Sequence, residues 1–314
     1  MTCLKKPREG SSLDARIARR HHVGVRFGLH VLGVGAGADP AVVTAVGRAA
    51  ERYGFATLWA GEHVVMVDRP TSVYPYAEDG HIALPSDVDW LDPLVLFGFL
   101  ASATSGIRLA TGVLLLPEHN PVVVAKAVAS IDVLARGRFT LGVGVGWSAE
   151  EFAALGVPFE GRATRTTEYI EAMRVLWSED VASYSGRHVC FDEVRCYPKP
   201  VHRSVPVMLG GNGDRALQRV ATHGDGWYGF NVSVQELPGR LEVLRSACEQ
   251  VGRPDTSLDK AVALLDATPA DIGDIESLGV NEVVIVESPP GTAEDVDDWV
   301  GHLAQTWNVQ SHSL

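Results

Sequence analysis

An α/β fold, a (β/α)8 TIM barrel with insertions at its carboxyl-terminal mouth, is what three features of the sequence predict. From Val25 onward, eight short β-rich runs alternate with helical segments, the pattern of parallel strands joined by helical crossovers. Most runs are apolar on both faces, as barrel strands must be when side-chain layers fill the inside and helices cover the outside. Eight such units in about 280 residues match a barrel better than a doubly wound sheet.

The strands read, in order, RFGLHVLG (26–33), TLWAGE (57–62), IRLATGVLLL (107–116), RFTLGVGVG (138–146), VPVMLGG (205–211), GWYGF (226–230), AVALLDA (261–267) and NEVVIVES (281–288). Helices are expected at 39–54, 92–106, 120–137 and 165–178, after the first four strands. Asp39-Pro40, Asp92-Pro93 and Asn120-Pro121 each join an N-capping side chain to a proline at the first helical position, and Gly54, Gly106 and Gly137 mark the expected ends. Two long segments exceed a minimal barrel. Residues 184–204 have strand-turn-strand character and read as an insertion over one barrel mouth, and residues 66–90 form an aromatic, turn-rich loop of the kind that serves as a lid or binding surface.

No linker splits residues 24–314, which are read as one domain; residues 1–23 are basic, lack the apolar stretch of a secretory signal, and are expected to be a flexible tail. The formal charge of −12 over 314 residues argues against a nucleic-acid partner, because a phosphate backbone demands a basic footprint. No apolar run approaches the length that spans a bilayer. Cys3, Cys190, Cys196 and Cys248 show no metal-ligand spacing. Cys190 and Cys196 face each other in a possible hairpin, but a disulfide is not expected in a chain read as cytoplasmic.

In a barrel the carboxyl ends of the strands form the active face. They carry His30 on the first strand, Glu62 and His63 on the second, Thr111, Gly112 and Val113 on the third, and Val145, Gly146 and Trp147 on the fourth. The fifth ends in Gly210, Gly211, Asn212 and Gly213. An imidazole titrates in the useful pH range, so His63 is the candidate proton donor or acceptor, with Glu62 orienting it or bonding to a cofactor. A glycine-rich turn opening a helix offers amides and a favourable dipole to a phosphate. The alternating glycines at 142, 144 and 146 leave room for a flat ring, or serve a tightly packed interior. His30, Trp147 and His119 are candidates for the substrate pocket. Arg162 and Arg165 sit at a helix start, where an anionic partner would offset the dipole, whereas Glu150 and Glu151 read as helix-start charges rather than catalysts.

Three stretches taken together, AERYGFATLWAGEHVV, IRLATGVLLLPEHNPVVVAKAVASIDVLARGRFTLGVGVGW and PVMLGGNGDRALQRVATHGDGW, resemble the luciferase-like flavin monooxygenase superfamily. More narrowly they are similar to its branch of coenzyme F420-dependent oxidoreductases, over nearly the whole chain from about Arg26 to about Gln305. The resemblance implies that Glu62 and His63 lie beside a deazaflavin ring. It implies a cis non-proline peptide at Gly112-Val113, behind that ring, with Thr111 just before it. It implies that Gly210, Gly211, Asn212 and Gly213 hold the cofactor phosphate, with Val145 and Gly146 also against the cofactor. Trp147 is a departure, since some sugar-phosphate dehydrogenases of this branch carry a catalytic glutamate there; it reads instead as an apolar wall. The expected function is hydride transfer between F420 and a small organic substrate. The alternatives are an FMN-dependent monooxygenase of the alkanesulfonate or luciferase type, and a non-catalytic flavin- or deazaflavin-binding protein. A homodimer is expected by analogy.

Overall fold

The computed structural model describes residues 24–30 and 32–310. The tail reading of residues 1–23, and Cys3 with it, fall outside the described residues. Ten strands occur in chain order: β1 (Arg26–His30), β2 (Thr57–Ala60), β3 (Arg108–Thr111), β4 (Phe139–Val143), β5 (Ala182–Ser185), β6 (Cys190–Val194), β7 (Val207–Gly210), β8 (Gly226–Val232), β9 (Asp259–Leu264) and β10 (Glu282–Val286). Eight of them close into a parallel barrel in the order β1-β10-β9-β8-β7-β4-β3-β2, while β5 and β6 form a separate antiparallel hairpin.

The helices are α1 (Pro40–Arg52), α2 (Pro93–Ala103), α3 (Pro121–Leu134), α4 (Ala149–Ala154), α5 (Arg162–Ser178), α6 (Asp214–His223), α7 (Leu237–Gln250), α8 (Ile272–Ser277) and α9 (Val296–Thr306). Asp39, Asp92 and Asn120 cap α1, α2 and α3 through side-chain oxygens that accept two backbone amides each, with proline at the first turn. Such a cap stabilises a helix by about 1 kcal/mol. Gly54 and Gly137 adopt the left-handed conformation after α1 and α3. Gly106 does not serve as an end cap; its amide, with those of Ser105 and Ile107, is gathered by the Glu51 carboxylate of α1.

The main core lies between strands and helices and includes Leu58, Leu109, Phe97, Phe139 and Trp177. Each such side chain contributes about 1.5–3 kcal/mol by leaving water. A smaller cluster fills the barrel itself: Trp59, Ala110, Met208, Tyr228, Ala261, Ala263 and Val284. At the amino-terminal end lies Glu282, only 1% exposed, which accepts from Trp59 Nε1 at 2.8 Å, Thr57 Oγ1 at 3.0 Å and Arg108 Nη2 at 2.5 Å. Gly28 leaves the room for it, since a methyl group built there would lie 2.5 Å from Glu282 Oε1. The carboxyl ends of the strands form the opposite mouth.

The hairpin packs along α5 rather than over that mouth. Tyr184 donates to Glu171 at 2.9 Å and the amides of His188 and Val189 to Glu168 at 2.6 and 2.9 Å. Cys190 pairs with Ser185 across it, Cys196 lies beyond its end, and both thiols are free. Residues 66–90, by contrast, stay irregular and cross the mouth. No helix of the described residues is long and apolar enough to cross a membrane.

Candidate active site at the barrel mouth

Strand β2 delivers Glu62 and His63 to the mouth, both buried, but they serve different partners. The Glu62 carboxylate accepts the Leu115 amide at 2.7 Å and His119 Nε2 at 3.0 Å. It does not orient His63. That role falls to Glu151, 1% exposed at the start of α4, whose Oε2 lies 2.8 Å from His63 Nδ1. Its Oε1 accepts the amides of Val64 at 2.7 Å and Val65 at 3.3 Å. Glu151 is thus no mere helix-start charge. Its sequence setting, Ser148 three residues before it, signals a helix cap, and Ser148 Oγ does accept the Glu151 amide at 3.2 Å. A carboxylate only accepts, so Nδ1 of His63 carries the proton and Nε2 is left as the basic atom of the neutral ring.

Edge-on contacts from Trp90 and Trp147, at 5.0 and 5.8 Å, hold the His63 ring. His63, Trp147, Ser148 and Glu151 line a small cavity together with Val65, Met66, Val67, Pro70 and Ile82. Trp147 is a wall of it, as its apolar character implies.

The third and fourth strands support this wall. Thr111 Oγ1 donates to the Gly142 carbonyl at 2.7 Å, and the Gly112-Val113 peptide is cis. Gly142 in β4 and Gly144 and Gly146 just after it serve close packing. A methyl group on Gly142 would fall 1.8 Å from the Thr111 carbonyl oxygen, one on Gly144 2.6 Å from Val113, and one on Gly146 2.5 Å from Phe152. Space for a ring against Gly142, Gly144 and Gly146 is therefore not what removed their side chains; half-buried Val145 lies between the last two. Val113 also touches the fifth barrel strand, 3.1 Å from a methyl built on Gly210, so the glycine turn lies at the same mouth.

That turn runs from β7 into α6. Gly211 is left-handed with φ +103°, and Gly213 caps α6 without any side chain over the first amides. Trp227 Nε1 holds the Gly211 carbonyl at 3.0 Å and Arg240 Nη1 the Asn212 carbonyl at 3.3 Å. Asn212 donates to Phe230 O at 2.7 Å, leaving its buried Oδ1 with no partner among the described residues. An uncapped helix start suits a phosphate, and an unpaired amide oxygen suits a ligand N–H or O–H.

Arg162 and Arg165 bond to backbone carbonyls of the mouth loops. Arg165 is buried and donates to the carbonyls of Pro117 at 3.2 Å and Pro158 at 2.5 Å, and Arg162 donates to the Gly146 carbonyl at 3.1 Å while stacking over Phe159. They join the mouth loops to α5.

One further acid and two tyrosines, none of them singled out from the sequence, complete the mouth. Glu118 is 7% exposed, with neither carboxyl oxygen partnered among the described residues. Burial, then the charges of Glu151 and Glu62, push it up to about 9. His119, next in the chain, is pulled down by burial but raised overall by its hydrogen bond to Glu62 and that carboxylate's charge. Tyr74 and Tyr76 come from the 66–90 segment. Tyr74 packs on Trp147 at 5.2 Å and Tyr76 on Phe230 at 5.5 Å, each edge-on. The segment is fastened by exposed Glu150, whose Oε1 accepts Thr71 N and Oγ1, both at 2.6 Å, and Ser72 N at 3.1 Å. Those bonds hold the Glu150 carboxyl far below its ordinary value.

Residues 23–271 match the model of the luciferase-like monooxygenase family. The chain belongs to that family. Among its relatives, an uncharacterised protein of Mycobacterium tuberculosis is 34% identical over 287 residues, covering 89% of this chain and 98% of the other. The F420-dependent hydroxymycolic acid dehydrogenase of Mycobacterium tuberculosis is 30% identical over 221 residues, 69% of this chain and 56% of that one. Among solved structures, an F420-dependent secondary alcohol dehydrogenase in complex with an F420-acetone adduct superposes with a TM-score of 0.73 over 92% of this chain and 100% of that one, at 16% identity, a likeness of fold. At the carboxyl ends of its strands the groups present fit a flavin-type ligand: an uncapped glycine turn whose amides can meet a phosphate, and an unpaired amide oxygen beside it that can accept a hydrogen bond.

Proposed function

We propose that this luciferase-like protein is an oxidoreductase that transfers a hydride between coenzyme F420 and a small organic substrate at the barrel mouth. One observation carries the reading: His63 is fixed at the strand end by Glu151, with its Nε2 free of that bond, in a cavity walled by Trp147. In that state His63 takes a proton from, or returns one to, the substrate group whose oxidation level changes. Glu151 sets the tautomer, and Trp147 with Tyr74 and Tyr76 excludes water. The turn at Gly210–Gly213 would hold the cofactor phosphate, and F420, when bound, supplies the hydride-carrying ring. Choosing F420 over FMN is supported by a relative of 30% identity that is named for F420 dependence.

Fluorescence titration of the ligand-free protein with F420 and with FMN tests the proposal. F420 is expected to bind and FMN not. Binding of FMN alone would turn the reading to a flavin monooxygenase using dioxygen. Binding without turnover on carbonyl, alkene and nitro acceptors would make the protein a carrier. A second copy of the chain is the proposed partner, because α2 contains no charged residue and leaves Val95 72% and Phe99 48% exposed. A monomer mass by light scattering would exclude it.

A further inference from the structure

The floor of the mouth carries a further imidazole that the proposed chemistry does not use. His30, at the end of β1, is buried, and its Nδ1 lies 2.5 Å from the hydroxyl of Tyr228 on β8. Tyr228 is 1% exposed and stacked on Trp59 at 4.5 Å, so its phenol has little freedom. Phe230 packs on the other edge of the imidazole at 5.6 Å. The pair can bond in two ways. If Nδ1–H donated to the phenol oxygen, the phenol hydrogen would need another acceptor, and none lies within hydrogen-bond distance among the described residues. A buried hydroxyl left without an acceptor costs about 1–3 kcal/mol. If the phenol donates to Nδ1, the one hydrogen left over is on Nε2, which is not among the fully buried unpartnered atoms and so can meet water or a ligand.

Nε2 lies toward the ends of β2 and β3. A methyl group built on Gly61, the residue before Glu62, would be 3.6 Å from His30 Nε2 and 3.3 Å from the Gly112 carbonyl oxygen. Gly61 thus borders the corner where this nitrogen meets the mouth, and no described residue accepts a bond from it. Burial drives the His30 pKa down to about 4, so the ring is neutral at pH 7.

We infer that Tyr228 locks His30 in its Nε2–H tautomer, making His30 a fixed, neutral hydrogen-bond donor to an acceptor oxygen or nitrogen of the ligand bound at the mouth. Its tautomer is the reverse of that of His63. One imidazole presents a lone pair and the other a hydrogen, the complement that a hydroxyl–carbonyl couple requires: the base takes the hydroxyl proton while the donor bonds an acceptor atom of the ligand set. Tyr228 acts through His30 and is a positioning residue. The inference rests on the mouth being the ligand site, but the tautomer does not.

Nitrogen-15 NMR of protein labelled at histidine reads the tautomer directly in the ligand-free protein, with the His30 signals assigned by their loss in His30→Gln. Wild type should show a protonated Nε2 and an unprotonated Nδ1 from pH 6 to pH 8. Tyr228→Phe, checked for folding by its Tm, should lose the hydrogen-bonded Nδ1 shift. A protonated Nδ1 in wild type would overturn the inference. So would an Nε2–H signal that does not move when the protein is saturated with whichever of F420 and FMN binds. Failure of both cofactors to bind would count against the flavin-site reading instead, with the ligand-free spectrum still deciding the tautomer.

Discussion

Glu118→Gln should make the protein more stable at neutral pH. The buried carboxyl of Glu118 has no partner among the described residues and faces the charges of Glu151 and Glu62, which with burial raise it from 4.5 to about 9. A carboxyl raised in the folded state binds its proton more tightly there than in the unfolded chain, so stability is greatest below pH 4.5 and falls as pH rises toward 9. At pH 7, which is 2.5 above 4.5, the folded protein keeps a proton that the unfolded chain has released. At about 1.4 kcal/mol per pH unit this costs about 3 kcal/mol. Glutamine keeps the shape and stays neutral in both states, and its amide meets the same unpartnered surroundings as the neutral acid. Urea unfolding of both proteins at pH 5, 7 and 8.5 measures the difference. It should be small at pH 5 and grow with pH by about 1.4 kcal/mol per unit. A difference that does not change with pH, or a Gln variant less stable at pH 8.5, would refute the assignment of a proton to Glu118.

Other expectations concern the neighbouring groups. His63→Ala should leave cofactor affinity close to wild type and lower turnover by roughly 10²-fold or more; steady-state kinetics beside a binding titration separates the two. Glu151→Ala strips the acceptor from His63 and from two backbone amides, so unfolding stability should fall by about 2–4 kcal/mol and segment 66–90 should become more sensitive to protease. His119 gains its raised pKa from Glu62 after burial is offset; that stabilisation is complete below about pH 6.5 and disappears as pH rises through the folded value. The stability gap between wild type and His119→Gln should narrow accordingly in unfolding curves taken from pH 6 to pH 9. Gly142→Ala forces a methyl group against the Thr111 carbonyl and should cost at least about 1–3 kcal/mol, visible as a lowered Tm.

Local chemistry wrote the frame of this protein into its sequence. Periodicity marked all eight barrel strands, and Asp39, Asp92 and Asn120 fixed the starts of three helices, because an N-cap bonds to amides two and three residues away and needs nothing distant. Placing His30, Glu62, His63, His119, Trp147 and Gly210–Gly213 at one mouth followed from the same logic, since every strand of a parallel barrel ends on the same face. Pairing was a different matter. Glu151 meets His63 from 88 positions away and Tyr228 meets His30 from 198, while Glu62 passes over its neighbour in the chain to bind His119. Adjacent residues at a strand end point in different directions, so nearness in the chain says little about which carboxylate holds which imidazole. Only the closed barrel brings those atoms within hydrogen-bond reach. It alone shows that Gly142, Gly144 and Gly146 yield to Thr111, Val113 and Phe152, and that two tyrosines of an irregular loop cover the mouth.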